Sequence, residues 1–198
     1  MKNKKKVIII LALVALISLT SVTIAYFLAK DEVKNSFTVG DLTVDVEEPG
    51  WVDPKVWQGE EVAKIANVKN TNTMPEIIRV AVEPRWEDAN GNFVSGDINL
   101  VEFQYANITA DPTVPNSWYD GKDGYYYYTS IVPSEISTSD IIKSVKFNVP
   151  DNEKDKYNTD SLKAVVRAEA LFSSVQSWKT DWTVKDGDVI ALLTSLTK

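Results

Sequence analysis

From residue 36 to residue 172 apolar side chains fall at alternate positions in short runs, and polar segments carrying Gly or Pro separate the runs. A period of two places one face of an extended chain on a core and the other in water. The first run, Ser36 to Glu47, comes in two pieces. Phe37 and Val39 alternate with Ser36 and Thr38, then Leu42, Val44 and Val46 alternate with Thr43 and Asp45. Gly40-Asp41 shifts the register between them, which predicts a bulge or sharp bend. Pro49-Gly50 turns the chain into a loop with Trp51 and Trp57.

Further strands are predicted at Glu61 to Asn70 and, after the Met74-Pro75 turn, at Glu76 to Trp86. In the latter Ile78, Val80 and Val82 face the core, while Arg79 and Glu83 face out. Residues 87 to 97 form a polar loop or hairpin tip, and Leu100 to Ala106 a strand. After the proline-punctuated loop Asp111 to Asn116, Trp118-Tyr119 and Tyr125 to Ser130 flank the turn Asp120-Gly121-Lys122-Asp123-Gly124. Aromatic residues on both sides of a Gly/Asp turn predict a β-hairpin. Strand alternation puts two of the four tyrosines Tyr125 to Tyr128 in the core and two on the surface.

Pro133 to Asp140 is a Ser/Thr-rich loop. Ile141 to Val149 is a strand with Val145 and Phe147 as its apolar face, and Asp151 to Asp160 is charged and exposed. Ser161 to Phe172 alternates most strictly. Leu162, Ala164, Val166, Ala168 and Ala170 share one side, with Lys163, Arg167 and Glu169 opposite. Its Ala, Leu and Glu are helix formers, but the period of two decides for a strand. Val189 to Leu196 reads as a short helix or a strand. Eight or so strands without a long helical stripe predict an all-β antiparallel sandwich over residues 39–198.

The N-terminus follows another pattern. Lys2, Lys4, Lys5 and Lys6 precede an apolar run from Val7 to Leu19, broken by Ser18, and polarity rises through Thr20, Ser21 and Thr23. This is the layout of an export signal over residues 1–25, a short helix ahead of the sandwich. The small Ala25 places the cut between Ala25 and Tyr26, with Ala29 as the second site. An uncleaved anchor is the rival reading, because Val7 to Ile24 approaches the roughly 20 residues of a membrane span.

Composition narrows the chemistry. The 198 residues include no Cys and no His. An exported chain without Cys has no disulfide framework, so its core alone must hold it. Without His, the Ser–His, Cys–His and HExxH chemistries are excluded, and the usual zinc ligands are missing. No paired carboxylate arrangement replaces them, so the expectation is a non-enzyme without cofactor or metal. Asp151-Asn152-Glu153-Lys154-Asp155 has alternate carboxylates but lacks the glycine and closing Glu of a calcium loop, and reads as a solvated charged loop. Asn107-Ile108-Thr109 matches a glycosylation sequon. Loss of the four signal lysines takes the formal charge from −7 to −11, which disfavours nucleic acid and anionic membrane surfaces as partners. Of the six tryptophans (51, 57, 86, 118, 178 and 182), most read as core edges or subunit contacts. A glycan-stacking surface is the alternative role for the exposed aromatics.

The signal, the following AYF and the stretch NSFTVGDLTVDVEEPGW resemble exported proteins processed by the dedicated signal peptidase SipW, the group that holds the TasA and camelysin matrix proteins. Three further stretches, KIANVKNTNTMPEIIRVAVEPRW, SWYDGKDGYYYYTSIVP and SLKAVVRAEALFSSVQSW, resemble its BsaA subgroup most. Two details differ: Pro133-Ser134-Glu135 stands where the group has Pro-Gly-Glu, and LFSSVQ follows AEA where a shorter AVQ is usual.

The resemblance implies a jelly-roll-like sandwich secreted by a Gram-positive bacterium to its surface or extracellular matrix. There it would polymerise head to tail into biofilm matrix fibres. Its partners would be copies of itself, the signal peptidase and other matrix components, with membrane contact only through an uncleaved signal. In the TasA group the segment freed by cleavage is inserted as a strand into the next subunit. Carried over, the donor is residues 26–38, with Tyr26, Phe27, Leu28, Val33 and Phe37 as apolar contacts. Thirteen extended residues reach about 43 Å at about 3.3 Å each. The alternative to a fibre subunit is a monomeric cell-surface binding module or adhesin that recognises glycans.

Overall fold

Ten strands and two helices organise residues 44–49, 61–88, 90, 92–153 and 161–197, the part of the chain that the computed structural model describes. The strands are β1 (Val44–Glu47), β2 (Glu61–Asn70), β3 (Glu76–Glu87), β4 (Phe93–Val94), β5 (Val101–Tyr105), β6 (Ile108–Thr109), β7 (Trp118–Asp120), β8 (Tyr126–Tyr128), β9 (Ile142–Phe147) and β10 (Ser161–Phe172). Helices α1 (Trp178–Asp181) and α2 (Gly187–Leu196) follow. A four-stranded sheet has the order β1-β2-β9-β5. A six-stranded sheet has the order β10-β3-β8-β7-β6, with β4 paired to β3. The fold is therefore all-β and sandwich-like, with few helices.

The long strands lie where alternation predicts them. β2 spans the predicted residues, β3 runs one residue past its predicted end, and β10 covers Ser161 to Phe172. β10 and β3 pair antiparallel over twelve positions, from Ser161 opposite Glu87 to Phe172 opposite Glu76. The predicted aromatic hairpin is β7 and β8, with Trp118 opposite Tyr128. Asp120 and Asp123 hold its turn by accepting from the backbone N–H groups of Lys122 and Tyr125 at 2.8 and 3.0 Å. Gly124 takes a φ of +91° there. One pair departs from the antiparallel expectation: β6 runs parallel to β7. The loop between them leads the chain back before it re-enters the sheet, as a parallel neighbour requires. The predicted bend at Gly40, together with Trp51 and Trp57, lies outside the described residues.

Three apolar clusters fill the fold. The largest lies between the sheets, where Ala66, Val68 and Ile142 of one meet Ile78, Val80, Trp118, Tyr128 and Val166 of the other. A second, around Trp86, Phe147 and Leu162, closes one end of the sandwich. The other end holds the start of β1, the end of β2, the start of β3 and the end of β10, as the pairs Val44–Asn70 and Phe172–Glu76 show. These are the far and near ends below.

The third cluster lies on the outer face of the six-stranded sheet. There Ile77, Tyr119 and Tyr127 pack against Trp178, Trp182, Val189, Leu192 and Leu193. Val189 to Leu196 is thus a helix. Asp186 caps it by accepting from the N–H groups of Asp188 and Val189, and Val189, Leu192 and Leu193 share one helical face. This cover corrects two expectations. Arg79 does not face solvent but is 8% exposed, and Tyr127, on the same outer face, is fully buried, where two of the four tyrosines were expected on the surface. Alternation assigned Arg79 to the correct face; the helices that seal that face lie far along the chain.

Candidate functional site

Strand-exchange chemistry needs a sheet edge with free backbone groups, an apolar floor and space for a strand. Among the described residues four strands end the two sheets: β1 and β5 in one, β10 and β6 in the other. β5 is short, and its exposed Glu102 and Gln104 give it a polar edge. β6 has two residues. β10 has twelve, and among the described residues it is paired on one side only, by β3.

β1 lies against β10 across the mouth of the sandwich. A cleft of about 340 Å³ opens between them, lined by Val46, Glu48, Lys64, Lys163, Ala164 and Val166 among others. Val46 and Val166 extend the inter-sheet core to this opening. The side chain of Lys64 is almost fully buried at the cleft, and its Nζ lies 2.7 Å from the Glu48 carboxylate. A buried ammonium requires such a partner. The cleft thus combines apolar surface, one ion pair and a long strand edge.

The predicted cleavage residues Ala25 and Tyr26 and the donor residues Tyr26, Phe27, Leu28, Val33 and Phe37 all lie outside the described residues. The structure places the chain that follows them. Val44, the first described residue, stands opposite Asn70 at the near end.

The aromatic hairpin, a second candidate from the sequence, is structural. Tyr126 and Tyr128 pack on the inter-sheet core. The Trp118 indole donates to the Ser139 carbonyl at 2.9 Å, and the Tyr128 hydroxyl accepts from the Ser139 N–H at 3.1 Å. On the outer face the Arg79 guanidinium lies 3.8 Å from the Tyr125 ring centroid and 4.7 Å from that of Trp182. It donates twice to Glu169 Oε2, at 2.7 and 3.0 Å, and once to the Tyr127 hydroxyl at 3.3 Å. Tyr125 in turn donates to Glu169 Oε1 at 2.9 Å, and Tyr127 to Asp123 at 2.7 Å. Burial and these carboxylates raise both phenols above their ordinary value. These rings are occupied by Arg79, so they do not form a free sugar-stacking platform. The four described tryptophans, Trp86, Trp118, Trp178 and Trp182, are all buried.

Two features were not legible in the sequence. A cleft of about 580 Å³ separates the loop around Asp111–Thr113 from α2, with Thr129, Asp188 and Ser195 on its walls. At the near end Glu76 is fully buried (0% exposed), and neither carboxylate oxygen has a donor at hydrogen-bonding geometry. Burial pushes its carboxyl up to about 7, and the nearby Asn72 side chain opposes that shift only in part. Among the described residues no three carboxylates group as a metal site. No family model, no curated protein and no solved structure matches the chain.

Proposed function

We propose that the protein is an exported, non-catalytic subunit of extracellular biofilm matrix fibres, polymerising by donation of residues 26–38 to a neighbouring copy. The observation that carries this reading is β10, a twelve-residue edge paired on one side only among the described residues and bordered by a cleft that combines valines with one ion pair. A donated strand supplies backbone hydrogen bonds along such an edge and places alternate side chains in the cleft. Thirteen donor residues match a twelve-residue edge in length. Successive strands cross between the sheets at β2–β3, β4–β5, β5–β6, β8–β9 and β9–β10, which supports the jelly-roll-like description. The resemblance to SipW-processed matrix proteins of the TasA group supplies the setting: secretion by a Gram-positive cell, cleavage after Ala25 and head-to-tail growth. Because donor and acceptor are different surfaces, such a contact is heterologous and gives filaments.

Electron microscopy of the chain starting at Tyr26, beside one starting at Val39, tests the proposal. Filaments from the first and none from the second are expected. Filaments from both would remove the donor assignment, and filaments from neither would remove the fibre. The second reading, a monomeric binding module, is favoured by the cleft between the Asp111 loop and α2, whose walls mix carboxylates, hydroxyls and apolar side chains. That reading expects the Val39 start to change nothing.

A further inference from the structure

The two ends of the sandwich carry separate exposed apolar surfaces. At the near end Met74, Ile131, Ile136 and Val175 are exposed, Ile136 by 52%. Hydrogen bonds knit their segments into one surface. The Asn70 N–H donates to the Ile136 carbonyl at 3.0 Å, and the Asn70 amide to the carbonyls of Met74 and Val132 at 2.9 Å. The Ser173 N–H donates to the Pro75 carbonyl at 3.1 Å, which ties in the turn with Val175. At the far end the β3–β4 hairpin and the 3-10 turn after it expose Phe93 by 59% and Ile98 by 63%, beside a cleft of about 320 Å³. Single exposed apolar residues are ordinary; groups of them on one surface mark contacts.

From this we infer that the near end of one subunit docks on the Phe93–Ile98 surface at the far end of a second copy. The inference rests on the strand-donation reading, and chain length carries it further. Val44, at the start of β1, lies on the near end. If residues 26–38 are bound in the next subunit, at most five residues, 39–43, separate the donor from β1. Five extended residues span about 16 Å, so the next body must lie against this end. A fibre that left Ile131 and Ile136 in water at that distance would forgo the apolar burial they offer. The two surfaces are different and lie at opposite ends, so their contact repeats without closing. The strand and the end-to-end contact would act together, since the short linker gives the second a high effective concentration once the first has formed.

The test uses the chain from Tyr26 with its donor intact. One variant carries Ile131→Asp and Ile136→Asp, the other Phe93→Asp and Ile98→Asp; all four positions are exposed. Sedimentation and electron microscopy should show filaments of the unmodified chain and monomers of each variant alone. Mixed in equal amounts, the two variants should form a dimer that stops growing, because each supplies the end the other lacks. Ile136→Ala and Phe93→Ala, which leave solvent-facing positions apolar, should raise the critical concentration for assembly about tenfold or more. Filaments of both aspartate variants at the unmodified critical concentration would overturn the end-to-end contact and leave strand donation standing. A mixture that stays monomeric would also overturn it. No filaments from the unmodified chain would remove the fibre reading and this contact together.

Discussion

Both faces of the six-stranded sheet bury side chains, and by different chemistry. The inner face meets the other sheet through Ile78, Val80, Trp118 and Val166. The outer face carries Arg79, Glu169, Tyr125 and Tyr127 in one hydrogen-bonded, ring-stacked group under α1 and α2. An apolar face tolerates imperfection in increments of contact area. A charged face under cover fails when one partner is lost, because the other is left buried and uncompensated.

Arg79→Ala should therefore have the largest effect. It strands Glu169 and empties the space between Tyr125 and Trp182, at a cost of about 3–5 kcal/mol in urea unfolding. Replacing Arg79 and Glu169 together by apolar residues of similar volume should recover most of that loss; no recovery would mean that the rings, and not the charge, hold the face together. Next comes Glu76, which lies on the inner side yet breaks that face's apolar rule. Its folded pKa of about 7 exceeds the ordinary 4.5. The stability it permits is fully present below pH 4.5 and is lost as pH rises to about 7, a change of about 3 kcal/mol. Glu76→Gln should remove this slope, so the stability difference between the two proteins should change in the Gln variant's favour between pH 4.5 and 7. Parallel curves would mean that Glu76 has a donor.

Ile78→Val on the inner face should cost about 0.5–1.5 kcal/mol, the increment of one methylene. The smallest effect belongs to Arg167 and Glu83, a 3.2 Å pair on the same outer face as Arg79, with both side chains 55% exposed. Arg167→Ala should cost less than about 1 kcal/mol and less still in high salt. An equal loss from Arg167 and Arg79 would break the distinction between covered and open parts of this face.

How far the sequence foretells this arrangement depends on where the burial comes from. β2, β3 and β10 are legible because each carries its own alternation, strong enough in Ser161 to Phe172 to override helix propensity. The side of each residue is legible too; its solvent exposure is not. Arg79 alternates as a surface residue, and its cover, Trp182, arrives about a hundred residues later. Glu76 begins a strand after Met74-Pro75, where a carboxylate normally meets water, but Val132 exchanges two backbone hydrogen bonds with it and closes the site. Helix α1 has four residues, too few for a period. Phe93 and Ile98 were hidden in or beside a stretch whose polar majority reads as a loop. The cleft beside β10 belongs to no single segment, since Val46, Lys64 and Val166 reach it from three strands.

The Trp178 indole donates to the Thr197 hydroxyl at 3.0 Å, and that hydroxyl donates to the Leu193 carbonyl at 2.7 Å. The last described turn of the chain is thereby pinned to the side of the sandwich, on the outer face of the six-stranded sheet. A tag, enzyme or epitope joined after Thr197 would start from that outer face. If the proposed fibre forms, cargo attached there would be displayed laterally at every repeat.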